Sequence, residues 1–151
     1  MLPDNIEVLN KNIWDNFIPD ISQMYNYNMT NSSTANIEYF TNGLNFAIIK
    51  DNDILAIIGA SYTIENTVEL SILLGINFKK NLRFCIKKIN EVLSVCTPVH
   101  ITRYEGHVEL ENTTDLRFAT YFGFNIVGIR HSLGPDKKDY VLVEKILQKG
   151  N

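Results

Sequence analysis

The chain has 151 residues, enough for one ordinary domain and too few for two comfortable ones. Hydrophobic residues at 45% and charged residues at 21% exclude wholesale disorder. Lys and Arg number 14 against 17 Asp and Glu, and the net charge of −3 removes the main electrostatic argument for binding nucleic acid or an anionic membrane.

No basic leader followed by an apolar run opens the chain, so no secretory signal is expected. Ile6 to Leu9 is a short β-prone run. From Asn12 the residues Ile13, Trp14, Phe17, Ile18 and Ile21 recur at helical spacing, and Pro19 should end or kink that helix. Tyr25 to Thr34 is rich in Asn, Ser and Thr and is expected as a loop, with one or two helical turns over Ala35 to Phe40, closed by Asn42-Gly43. Leu44 to Ile49 and Ile54 to Tyr62 flank Asp51-Asn52-Asp53 as a β-hairpin; Glu65-Asn66 then turns the chain into a third strand, Thr67 to Leu74. The longest apolar stretches, such as Ile54 to Ala60, fall far short of the roughly 20 residues of a spanning helix, so no membrane span is expected.

After Gly75 the period changes. Leu82, Cys85, Ile86, Ile89, Val92 and Leu93 mark one face of a helix over Lys79 to Ser94, with Lys79, Lys80, Arg83, Lys87 and Lys88 on the opposite face. Cys85 and Cys96 lack zinc-site spacing and are expected as reduced thiols. Val99 to Thr102 should begin a strand that continues or restarts at Val108 to Leu110, with a bulge or turn at Tyr104-Glu105-Gly106-His107. Asn112 or Thr113 can cap a helix through Leu116, Phe118, Ala119 and Phe122, stopped by Gly123 at C′. Phe124 to Arg130 and Asp139 to Lys145 are strands joined by a turn around Gly134-Pro135-Asp136. No repeat or linker interrupts the chain, which reads as one domain over residues 1–151.

Strand, helices, three-strand meander, helix, strand, helix and final hairpin is an order that resembles the GNAT (GCN5-related N-acetyltransferase) fold. The expected fold class is α+β, a mixed, mostly antiparallel twisted sheet of about six or seven strands flanked by helices. The segment Asn112-Thr-Thr-Asp-Leu-Arg-Phe-Ala-Thr-Tyr-Phe-Gly-Phe124 resembles the family's Asn-x-x-Ala-x-x-Phe-Tyr-x-x-x-Gly-Phe without a gap, matching at Asn112, Phe118, Gly123 and Phe124. Two departures fall on the chemistry. The family's glycine-rich loop, whose backbone N–H groups cradle the acetyl-CoA pyrophosphate at a helix N-terminus, is replaced by Asn77-Phe-Lys-Lys-Asn-Leu-Arg-Phe84, with no glycine between Gly75 and Gly106. The family's general-acid Tyr corresponds to Ala119. This pair of losses resembles the degenerate GNAT-like proteins of tailed phages, including internal virion proteins.

That resemblance implies a protein of the host cytoplasm or the virion, with other phage or host proteins as partners and acetyl-CoA held weakly or not at all. The wider GNAT resemblance implies Glu69, mid-strand in the meander, as the base that deprotonates an amine, and Leu73 and Asn112 as cofactor contacts, while the flexible cations Lys79, Lys80 and Arg83 can hold a diphosphate by charge. The residues themselves leave alternatives open. Glu69 can be a carboxylate at a partly solvated sheet face, the cations a solvated helix face, and Asn112 a helix cap alone. Tyr121 lies roughly 200° around its helix from the vacant acid position. His100, His107 and His131 have no mutual metal-site spacing, so no metal is expected. The function expected is a GNAT-fold phage virion or accessory component without acyl transfer; the alternatives are an active N-acetyltransferase with an atypical cofactor loop and a small-ligand or protein-binding module.

Overall fold

The computed structural model describes residues 2–23, 44–133 and 137–147. The expectations for Tyr25 to Thr34, Ala35 to Phe40, Asn42-Gly43 and Gly134-Pro135-Asp136 lie outside the described residues. Seven strands are hydrogen-bonded in the order β1-β2-β3-β4-β5-β7-β6. They are β1 (Ile6–Val8), β2 (Leu44–Lys50), β3 (Asp53–Ile64), β4 (Thr67–Leu74), β5 (Arg103–Glu109), β6 (Asn125–Leu133) and β7 (Lys138–Ile146). Three α-helices occur among the described residues: α1 (Lys11–Asn16), α2 (Leu82–Cys96) and α3 (Thr113–Tyr121). The mostly antiparallel sheet has β4 at its centre and one parallel pair, β4 with β5, joined through α2 as a β–α crossover. The expected fold class therefore holds.

By contacts the chain forms two compact units, residues 1–61 with 72–97 and residues 62–71 with 98–151. In the first, the β2–β3 hairpin turns at Asp51 (φ 51°) and Asn52 (φ 64°), both left-handed, as a two-residue turn matched to strand twist requires. Lys50 opposes Asp53 beyond that turn. One face of the hairpin packs against α1, where Leu9, Ile13, Trp14, Phe17, Ala47, Ile57 and Leu73 form a continuous cluster. β3 is buried on both faces, with Leu55, Ala56 and Ile57 fully enclosed, which explains its near-continuous apolar sequence.

The first helix is shorter than its periodicity predicts. Phe17 leaves helical geometry (ψ 129°) two residues before Pro19, because the residue preceding a proline is pushed towards extended backbone and Ile18 must comply. Ile18 and Ile21 are consequently exposed, and Ile21 opens a separate 3₁₀ turn, Ile21–Gln23. The helix after β4 begins with a 3₁₀ turn at Lys79–Asn81 and becomes α-helical at Leu82. Lys88 is a further correction. It is buried, not solvated, its stem covered and its ammonium carried to Glu91 Oε2 at 2.9 Å and over the Phe84 ring at 5.8 Å.

In the second unit β7 lies between β5 and β6. The strand expected at Val99 to Thr102 starts later, at Arg103, since Ile101 N–H bonds Pro98 O in a turn. The expected bulge or turn at residues 104–107 is absent: Arg103 to Glu109 pairs with β7 in unbroken register, and Gly106 fits because a Cβ there would come within 3.3 Å of Leu70 O. Val68, Leu70, Tyr104, Val141 and Val143 are buried. α3 starts and stops as its sequence directs. Asn112 Oδ1 accepts from Asp115 N–H at 3.0 Å, and Gly123 (φ +87°) closes a Schellman motif in which Gly123 N–H bonds Thr120 O at 2.9 Å and Phe124 N–H bonds Ala119 O at 3.0 Å.

Candidate functional site

Glu69 and Asn112 belong to one compact unit, while Leu73, Lys79, Lys80 and Arg83 belong to the other. The segment that follows β4 is closed by its own contacts. Gly75 N–H bonds Leu55 O at 2.8 Å, and a Cβ on Gly75 would stand 2.5 Å from Ile54 O, so only glycine fits. Ile76 N–H bonds Ile18 O at 2.9 Å, Phe78 N–H bonds Gly75 O at 3.1 Å and Asn81 N–H bonds Phe78 O at 3.0 Å. Four backbone donors between positions 75 and 81 therefore point at protein acceptors.

Side chains complete the closure. Asn77 Nδ2 donates to Asp53 Oδ2 at 2.6 Å, Asn81 Nδ2 donates to Asn77 O at 3.1 Å, and Lys50 Nζ donates to Asn81 Oδ1 at 3.3 Å. Lys50 also stands 4.9 Å from the Phe84 ring centroid, a cation–π contact. Lys79, Lys80 and Arg83 are exposed around this turn, and Phe78 is buried beneath it. Charge for an anion is thus present, but the Asp53 carboxylate lies within the same network, where it repels one. Leu73 is 5% exposed and sits in the Trp14 cluster, so its side chain is a core element.

In the other unit, the parallel register sets Glu69 opposite Glu105, and β5 sets Glu105 opposite Glu144. Alternation places Glu69, Arg103, Glu105, His107, Glu109 and Glu144 on one half-buried face, away from Val68, Tyr104 and Val143. Arg103 Nη2 reaches Glu105 at 3.1 Å and Glu144 at 2.9 Å, and Lys138 reaches Glu109 at 3.0 Å. Glu69 Oε1 lies 3.3 Å from His107 Nδ1, while His107 Nε2 is buried with no partner among the described residues. The sequence reading singled out Glu69 and missed His107 as its neighbour. The available signal was strand phase: once Arg103 to Glu109 is one continuous strand paired with β4, His107 falls on the Glu69 face.

Asn112 is engaged at both ends by Asp115, receiving from its N–H and donating from Nδ2 to Oδ2 at 3.0 Å, so capping accounts for its side chain. Tyr121 is exposed at the surface. Cys85 is fully buried on the apolar face of α2, and burial pushes its thiol up to about 11, with Lys50 pulling weakly the other way. Among the described residues no group of three His, Cys, Asp or Glu side chains is placed to hold a metal, and no helix is long and apolar enough to cross a membrane.

No family model and no curated protein matches the sequence. Solved structures do match the fold. Ard1 from Thermoplasma volcanium aligns with TM-score 0.74 at 13% identity, covering 95% of this chain and 97% of its own. A GNAT family acetyltransferase from Elizabethkingia anophelis with acetyl-CoA bound aligns with TM-score 0.65 at 17% identity, covering 96% and 100%. A ribosomal-protein-alanine N-acetyltransferase from Brucella melitensis aligns with TM-score 0.64 at 13% identity, covering 94% and 99%. At such identities the likeness concerns backbone architecture and not site chemistry. The chain has the fold of the GNAT acetyltransferases.

Proposed function

We propose that this protein is a GNAT-fold phage virion or accessory component, acting through other phage or host proteins, in which the acetyl-CoA half of the site is degraded. The observation that carries the reading is the segment after β4, which has no glycine beyond Gly75 and has four of its backbone donors engaged by protein carbonyls. A diphosphate held by backbone needs free N–H groups aimed outward and room for close approach. Here the donors of Gly75, Ile76, Phe78 and Asn81 bond protein carbonyls, and Asn77 is tied to a carboxylate. Exposed Lys79, Lys80 and Arg83 leave only attraction at long range, which salt screens. The phage assignment is supported by the Lys/Arg-rich loop combined with an ending, Asn112, Arg117, Phe118 and Gly123, that resembles the Asn-x-x-x-x-Arg-Phe…Gly of that phage subgroup.

Calorimetric titration with acetyl-CoA tests the first half. Binding should be absent or in the millimolar range and lost with added salt; micromolar, salt-insensitive affinity sinks it. Detection of the chain by mass spectrometry in purified particles tests the second half.

A second reading is a working N-acetyltransferase that tolerates weak cofactor binding, and the Glu69–His107 contact favours it. Thiolate release from acetyl-CoA in the presence of an amine panel separates the two readings.

A further inference from the structure

We infer that His107 is the positioning residue of the Glu69 carboxylate, an inference that rests on the second reading above. Four carboxylates occupy the polar face of β4, β5 and β7: Glu69, Glu105, Glu109 and Glu144. Arg103 matches Glu105 and Glu144, and Lys138 matches Glu109. Among the described residues Glu69 has no such permanent cation; its neighbour is the imidazole of His107, with Nδ1 at 3.3 Å from Oε1. A carboxylate clamped by Arg has its oxygens occupied by the ion pair and is less free to meet an amine. Glu69 is the member of the set spared that clamp.

The burial gradient orders the pair. Glu69 has 35% of its side chain exposed and His107 22%, with Nε2 enclosed and, among the described residues, unpartnered. Glu69 therefore faces the incoming amine, and His107 stands behind it. Of the two neutral tautomers, the one protonated on Nδ1 donates to Glu69. Donating to Glu69, His107 sets the rotamer of the carboxylate and does not itself receive the amine proton. In the transfer, that proton goes to Glu69, the amine nitrogen bonds the acetyl carbonyl carbon, and CoA leaves as the thiolate.

The full-length chain labelled with ¹⁵N-histidine should show His107 protonated on Nδ1, and Glu69→Gln should perturb that signal. With acetyl-CoA and a panel of spermidine, free lysine and an alanyl peptide, His107→Leu should lower kcat about 10- to 100-fold and leave the acetyl-CoA KM unchanged. His107→Asn, whose amide nitrogen overlays Nδ1, should restore most of kcat. A parent that turns over no amine overturns the acyl-transfer reading, and the positioning role falls with it. His107 found as the Nε2 tautomer, or a His107→Leu variant as fast as an active parent, overturns the positioning role while leaving that reading intact.

Discussion

The two cysteines show how far placement outweighs composition. Both are free thiols, but Cys85 is fully buried with its thiol raised to about 11, whereas Cys96, also raised by burial, is partly accessible. Because the thiolate is the nucleophile, Cys85 should be inert at pH 8. Ellman's reagent should titrate one thiol slowly in the native protein and both in guanidinium. Fast modification of two native thiols would contradict the placement of Cys85. Asp139 shows the opposite shift. The backbone N–H of Ser132 and then His131 favour its charged form and hold the carboxyl below its ordinary value. A depressed carboxyl contributes stability above its unfolded value, and the contribution is lost as pH falls through the folded one. Its carbon resonance should therefore titrate below the ordinary range of an Asp carboxyl, and Asp139→Asn should remove that step together with the small stability the carboxylate contributes at pH 7.

At the scale of elements, α3 was legible almost entirely from sequence. Asn112 caps it, Gly123 closes it, and both roles are local chemistry between residues at most five positions apart. Asn112→Ala should destabilise the protein by about 1 kcal/mol in urea titration. Gly123→Ala should cost about 1–2 kcal/mol, because φ +87° opposes any Cβ. The segment after β4 was legible only in part. Its missing glycines were plain, but its closure depends on Ile18, Lys50 and Asp53, residues 24 or more positions away from their partners among positions 76 to 81. Gly75→Ala should be the more damaging glycine change, about 1–3 kcal/mol, since its Cβ would meet backbone that cannot swing aside.

At the scale of the whole molecule, the cluster around Trp14 is a continuous buried core of the first unit. Trp14 is 1% exposed, and Trp14→Ala should cost about 3–5 kcal/mol, read as a large fall in the urea midpoint with the slope preserved. Ligand stabilisation offers a second whole-molecule measurement. If acetyl-CoA binds with a dissociation constant of about 1 mM or weaker, 1 mM ligand adds no more than about 0.4 kcal/mol, a melting shift of roughly 1 °C. A shift of several degrees would show that the exposed cations hold the cofactor better than the closed turn allows.

The sequence by itself determined the class of fold, the positions of the turns at Asp51-Asn52 and Gly123, the apolar face of α2 and the absence of glycine between Gly75 and Gly106. Each of these is written in local periodicity or in a backbone conformation that few residues adopt. Tertiary structure decided the rest. Lys88 is buried because Glu91 and Phe84 receive its ammonium, and Ile21 is exposed because the chain leaves the helix before Pro19. Glu69 meets His107 because two parallel strands, separated by a whole helix, pair in one register out of several possible. Strand phase and pairing register are set by packing across the sheet, and no window along the chain contains them.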